Sequence, residues 1–170
     1  QAEADEAIDA MMTRRTLGAA GTRVLIEEAL VGREASLIYF TDGERLVPLP
    51  PAQDYKRIGD GDTGPNTGGM GTFSTDGLLD EDVVRIVRET IAEPTVRHMR
   101  LEGAPLSGMM FVGVMLTDAG PMVLEYNMRF GDPETQSELK RLDSDLLDIF
   151  EGIADGSLER ISPVWTSDAT

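Results

Sequence analysis

An α+β fold, with strands paired antiparallel through short turns and helices packed on them, is the architecture this 170-residue sequence predicts. Three observations carry the prediction. Asp42–Gly43, a strong hairpin signal, separates Glu34–Thr41 from Arg45–Leu49, and the first of these is rich in residues suited to a pleated surface. The nearly all-apolar run Met109–Thr117 is turned by Asp118–Gly120 into a second strand, Met122–Asn127. Leu139, Leu142, Leu146, Ile149 and Ile153 recur every three or four residues, as the buried stripe of a helix does.

The elements follow in order. Residues 3–12 place acids at the front and Ala7, Ile8, Met11 and Met12 on one side, predicting a short amphipathic helix that Gly18 and Gly21 bring to an end. Val24, Leu25 and Ile26 are expected to begin a strand that runs into Glu27–Glu28. The hairpin comes next, its return strand stopped by Pro48, Pro50 and Pro51. Gly59–Gly71 holds six glycines in thirteen residues, without periodicity, and reads as a long functional loop. Asp80–Leu101 has helical spacing with a kink or split expected at Pro94. Met109–Thr117 and Met122–Asn127 read as core strands, and Asp132–Asp155 as helix with a break near Asp143.

Composition narrows the function. Fifteen basic against 31 acidic side chains give −16, which argues against a nucleic-acid surface. No apolar run approaches the roughly 20 residues of a membrane helix, so no membrane partner is expected. Zero cysteines exclude a disulfide framework, a zinc-thiolate site and a thiol nucleophile, and fit a cytoplasmic setting. The basic residues are skewed to thirteen Arg and two Lys, a pattern that GC-rich coding and adaptation to high salt both produce.

Four constellations could carry chemistry. Gly59, Gly61 and Gly64 form a literal GxGxxG, but Pro65 follows directly and no strand–turn–helix surrounds it, which refuses a dinucleotide site. Glu125, Asn127 and Arg129 share one face at the end of a strand, where carboxylate, amide oxygen and guanidinium suit a hard cation with phosphate, or are simply an exposed polar strand face. Glu27–Glu28, followed by Leu30 and Glu34, can bond an exocyclic amine and ribose hydroxyls, or be a solvated charge cluster. Gln53, Asp54, Lys56 and Arg57 precede the glycine stretch and could grip a small zwitterion or a phosphate. His98, between Arg97 and Arg100, reads as a surface residue.

The runs Ala52–Ser74 (AQDYKRIGDGDTGPNTGGMGTFS), Val24–Ser36 (VLIEEALVGREAS) and Val123–Gln136 (VLEYNMRFGDPETQ) together resemble the phosphoribosylamine–glycine ligases, or glycinamide ribonucleotide synthetases, of the ATP-grasp superfamily. The resemblance implies a partial ATP-grasp fold over residues 1–165, incomplete at its N-terminal side, with 166–170 as a tail and the family's N- and C-terminal domains absent. It implies an ATP-dependent ligase of de novo purine synthesis that joins glycine to 5-phosphoribosylamine through a glycyl phosphate, with this stretch alone inactive. It further implies that Glu125 and Asn127 bind Mg²⁺ or Mn²⁺, and that Glu27, Glu28, Leu30 and Glu34 hold the adenosine of ATP. Arg129 then neutralises phosphate or the glycine carboxylate, Asp54 with Lys56 faces glycine, and the Gly59–Gly71 stretch closes over the substrates. The competing readings are another ATP-grasp carboxylate–amine ligase and a non-catalytic nucleotide-binding module.

Overall fold

The computed structural model describes all residues, Gln1–Thr170. Helix α1 (Ala2–Ile8) continues into a wider π-type turn at Asp9–Thr13, and a 3₁₀ turn occupies Gly18–Thr22. Strand β1 (Arg33–Asp42) turns at Gly43, φ +93°, into β2 (Leu46–Pro48). Four short strands follow: β3 (Gln53–Asp54), β4 (Arg57–Gly59), β5 (Thr63–Asn66) and β6 (Thr72–Phe73). Helices α2 (Glu81–Val87) and α3 (Glu93–Leu101) lead to the long strands β7 (Ser107–Thr117) and β8 (Gly120–Asn127). Helices α4 (Glu134–Glu138) and α5 (Leu146–Asp155) close the order.

The main sheet runs β2-β1-β7-β8 and is antiparallel throughout, so the predicted α+β class holds. Both faces of its centre are covered, which is why β1 and β7 read as near-continuous apolar runs. On one face Leu37, Tyr39, Val112 and Val114 pack with Val87, Ala92 and Val96 of the α2–α3 stretch. On the other Ile38, Phe40 and Phe111 pack with Ile149 and Ile153 of α5. Alternation along each strand thus divides one apolar run between two cores.

The helical breaks fall where the sequence puts them. A π-type turn at Arg88–Ala92 stands just before Pro94, whose missing N–H and bulky ring the wider turn accommodates. The chain leaves helix geometry between Arg141 and Leu146, and Asp145 restarts it by accepting a 2.8 Å hydrogen bond from the Leu147 N–H.

Three expectations are corrected. Val24–Ile26 forms no strand: no neighbouring strand pairs with it, and Leu25 and Ile26 are 79% and 78% exposed. Met122–Asn127 is the sheet's edge rather than a core strand, with Met122 and Tyr126 more than two-fifths exposed. Gly59–Gly71 is a loop only in its second part: up to Asn66 β4 pairs with β5 in a hairpin turned by Gly61 (φ +68°) and Asp62 (φ +58°), and residues 67–71 stay irregular. β3 and β6, on either side of that hairpin in sequence, pair with each other. The last residue is tied down, Thr170 and Ser74 exchanging backbone hydrogen bonds of 2.9 and 3.0 Å.

Candidate active site

The site grows from the edge strand. Between β7 and β8 the register slips, so that Val114 faces Val123 while Gly113 faces Glu125, and Leu124 is taken up in a bulge. Tyr126 then reaches toward the helices, its hydroxyl 3.0 Å from Thr95 Oγ1 of α3. Glu125 and Asn127 line a cleft of about 450 Å³ at the strand's C-terminal end. Gly113 makes room for Glu125: a Cβ there would lie 3.2 Å from Glu125 Cγ and 3.3 Å from the Phe111 ring.

The cleft's other walls come from several elements. Glu34 at the start of β1, Asp54 of β3 and Lys56 line it, as do Arg129, Asp132 and Glu134 beyond β8. Lys56 Nζ lies 3.3 Å from Glu34 Oε2 and 3.7 Å from Glu125 Oε1, tying the first strand of the sheet to its far edge. The stretch after the hairpin is held by hydrogen bonds onto this wall. Thr67 Oγ1 donates to the Lys56 carbonyl at 2.8 Å, and the Gly69 N–H donates to Thr67 Oγ1 at 3.1 Å. Gly69, φ +130°, presses so closely that a Cβ would collide with Pro133 Cδ and stand 2.9 Å from Asp54 Oδ2.

Beneath the cleft lies a group of buried acids. Ser36 Oγ donates to Glu134 Oε1 at 2.8 Å, and Glu134 is 3% exposed. Asp54 is buried with Oδ1 unpartnered. Its carboxyl is pushed above the ordinary Asp value by burial first and the Glu134 charge second, with Lys56 pulling the other way. Glu138, one helical turn beyond Glu134, is fully buried with both oxygens unpartnered, and burial raises it well above the carboxylate range.

The structure therefore brings together Glu34, Asp54, Lys56, Glu125, Asn127 and Arg129. Glu27, Glu28 and Leu30 do not join them: all three stand outside the cleft on a segment without regular structure, the two glutamates exposed and Leu30 half-buried. Sequence proximity groups Glu34 with them, yet it faces Lys56. Arg129 is exposed and donates to the Phe130 carbonyl at 2.8 Å. His98 is exposed on α3, as expected. Asp132, Glu134 and the Asn66–Gly68 wall escape a reading of individual residues. The Asn66–Gly68 wall is signalled only as part of the Gly59–Gly71 stretch, while Asp132 and Glu134 are absorbed into the helical spacing of 132–155.

No three His, Cys, Asp or Glu side chains are gathered as a complete metal cage. The donors at the cleft are oxygens, with Glu125 and Asn127 adjacent on one strand face. Such a set fits Mg²⁺ or Mn²⁺, which bind through one or two carboxylates and complete their shells with water and phosphate.

Comparison with known proteins adds a family. Residues 1–135 match the family described as phosphoribosylglycinamide synthetase, ATP-grasp (A) domain. The chain is 49% identical over 164 residues to a phosphoribosylamine–glycine ligase of Rhodopirellula baltica, a match covering 96% of the chain and 38% of that protein. Against the trifunctional purine biosynthetic protein adenosine-3 of Homo sapiens, identity is 45% over 168 residues, covering 99% of the chain and 17% of the relative. The crystal structure of a phosphoribosylamine–glycine ligase from Thermotoga maritima superposes with a TM-score of 0.75 at 34% identity, over 84% of this chain and 36% of that one. The chain thus spans under two-fifths of the length of these relatives.

Proposed function

The chain belongs to the phosphoribosylglycinamide synthetase ATP-grasp (A) domain family, and on that premise we propose that the full-length protein joins glycine to 5-phosphoribosylamine at the expense of ATP. The reading is supported above all by the convergence of Glu34, Asp54, Lys56, Glu125, Asn127 and Arg129 on one cleft from separate strands and loops. The chemistry needs such a place. A carboxylate is a poor electrophile until one oxygen leaves as phosphate. The glycine carboxylate attacks the terminal phosphorus of ATP and releases ADP; the amine of the ribosylamine then attacks the acyl carbon and releases phosphate.

Charge decides what the cleft must bring with the nucleotide. Glu34, Asp54, Glu125, Asp132 and Glu134 stand against Lys56 and Arg129, an excess of acid that repels a polyphosphate. Glu125 and Asn127 would hold the Mg²⁺ or Mn²⁺ that supplies the missing positive charge when bound. Lys56 keeps Glu34 and Glu125 within one ion-paired frame and so aims Glu125 across the cleft. Arg129 supplies a planar pair of N–H donors for a phosphate or a carboxylate. Asp54, buried and with an oxygen unpartnered, is a hydrogen-bond acceptor for a substrate ammonium. Glu27, Glu28 and the Leu30 backbone take the adenosine in this reading. A cytoplasmic setting goes with it, in accord with the absence of cysteine.

The test is ADP release by the full-length protein supplied with ATP, a divalent cation, glycine and phosphoribosylamine. Turnover should require both co-substrates. Equal turnover with another amino acid, or without the ribosylamine, would overturn the assignment.

A further inference from the structure

Beside the edge strand β2 and the proline run after it lies a larger cavity, about 890 Å³, that shares no lining residue with the cleft. Its volume is in the range of drug-sized ligand sites, roughly 300–1,000 Å³. Tyr39 of β1, Leu49, Pro51, Leu78 and Trp165 supply an apolar part of its wall; its rim is charged, with Arg85, Arg88 and Arg141 paired to Glu89, Glu93 and Asp76, and Glu81 beside them. Tyr39 is 1% exposed and its hydroxyl has no hydrogen-bond partner. Burial is the main cause that pushes this phenol far above its ordinary value; Arg88 opposes and Glu93 adds to it. The hydroxyl is therefore a neutral donor left open.

A second hollow of about 500 Å³ adjoins the first, and Val47, Arg88 and Glu93 line both. Arginines 45, 88, 97 and 100 line this annex against glutamates 44, 93 and 159. The glutamates are each engaged: Glu159 with Arg45 at 3.5 Å, Glu93 with Arg88 at 2.8 Å and Glu44 with Arg100 at 2.6 Å. Arg97 is the arginine left without a carboxylate. A locally positive annex beside a partly apolar cavity is unexpected in a chain of charge −16, and it defines what would fit.

We propose that the joined cavities form a second ligand site, one that takes a small amphipathic anion. Its apolar body lies among Tyr39, the proline run and Trp165, and its single anionic group meets Arg97. The Tyr39 hydroxyl supplies one further donor to a polar atom of that body. The site rests on its own residues and does not depend on the ligase reading.

The full-length protein is titrated with 8-anilinonaphthalene-1-sulfonate, an apolar ring system carrying one sulfonate, following dye emission excited directly and through tryptophan. One saturable site is expected. Arg97→Glu, a change at an exposed position, should weaken it by roughly tenfold or more, as for loss and reversal of one charge-assisted contact. Trp165→Phe should remove most of the transferred emission at saturation while leaving direct dye binding. The neutral N-phenyl-1-naphthylamine should bind more weakly and ignore the Arg97 change. Far-UV circular dichroism checks that both variants fold. Dye binding unchanged by Arg97→Glu overturns the proposal, and so does the absence of any saturable site, which would mean that other parts of the polypeptide cover this face.

Discussion

Glu138 sits fully buried beside Glu134 with neither carboxylate oxygen bonded, and Asp54 is buried nearby with one oxygen unpartnered. Both groups are raised, chiefly by burial. A raised acid binds its proton more tightly in the folded state than in the unfolded one. The stability this contributes is complete below the ordinary carboxylate range and is lost as pH rises through the folded value. Glu138→Met keeps the volume and removes the orphaned oxygens, so it should stabilise the protein by about 1–3 kcal/mol near neutral pH. Urea unfolding at pH 5 and pH 8 should show the larger gain at pH 8; a variant less stable than wild type there would refute it. Gly69→Ala has the opposite sign. Its φ of +130° and the closeness of Pro133 and Asp54 predict a loss of roughly 1–3 kcal/mol, with a raised KM for glycine as Asp54 is displaced. An unchanged KM would separate Asp54 from the substrate. In the full-length protein Glu125→Gln or Asn127→Ala should lower turnover by about 100-fold or more while folding survives, because losing a cation that stabilises phosphoryl charge costs on that order. An active double variant with ordinary metal dependence would remove both from the site.

At the scale of elements, stability depends on ends as much as on faces. The α5 helix carries Ile149 and Ile153 into one of the two cores, and Asp145 caps it through the Leu147 N–H. Asp145→Ala should cost about 1 kcal/mol, read as a lower urea midpoint with the slope unchanged. A change below a few tenths would show that packing alone holds the helix end. The same local signals explain what can be read from the residues. α5, the break before it, the π-type turn near Pro94 and the β1–β2 hairpin all follow from spacing, proline and Asp-Gly. The β4–β5 hairpin is hidden because glycine and proline carry no alternation, while its turn depends on positive φ at Gly61 and Asp62. Val24–Ile26 reads as a strand by composition, but a strand needs a neighbour and none pairs with it. Glu125, Asn127, Asp54 and Lys56 are legible as separate polar clusters. Their meeting in one cleft is not, since it rests on long-range register and on the bulge at Gly113. Buried Glu134 and Glu138 leave no mark, because helical spacing treats an acid as solvent-facing.

For the whole molecule the governing quantity is the net charge of −16. Two opposing electrostatic effects respond as salt is added. Ion pairs such as Arg88–Glu93 and Arg100–Glu44 are close contacts at 2.8 and 2.6 Å, far shorter than the Debye length of about 10 Å at 0.1 M salt. They are weakly screened, and exposed pairs of this kind contribute only about 0–1 kcal/mol each. Repulsion among the excess carboxylates acts over longer distances and is screened strongly in the same range. Salt should therefore remove more repulsion than attraction, so sodium chloride raised from about 0.01 to about 0.5 M should raise the urea midpoint of unfolding. Chloride is the better choice because sulfate strengthens apolar burial by exclusion and would blur the cause. The cleft sharpens the contrast, since its acids outnumber its cations and lie close together. Replacing Glu125 with Gln should therefore reduce the gain from salt slightly, while a surface substitution that leaves the acid excess unchanged should not alter it. A midpoint that stays flat or falls with chloride would show that the arginine–carboxylate pairs, rather than the excess of acid, dominate the electrostatics of the folded chain.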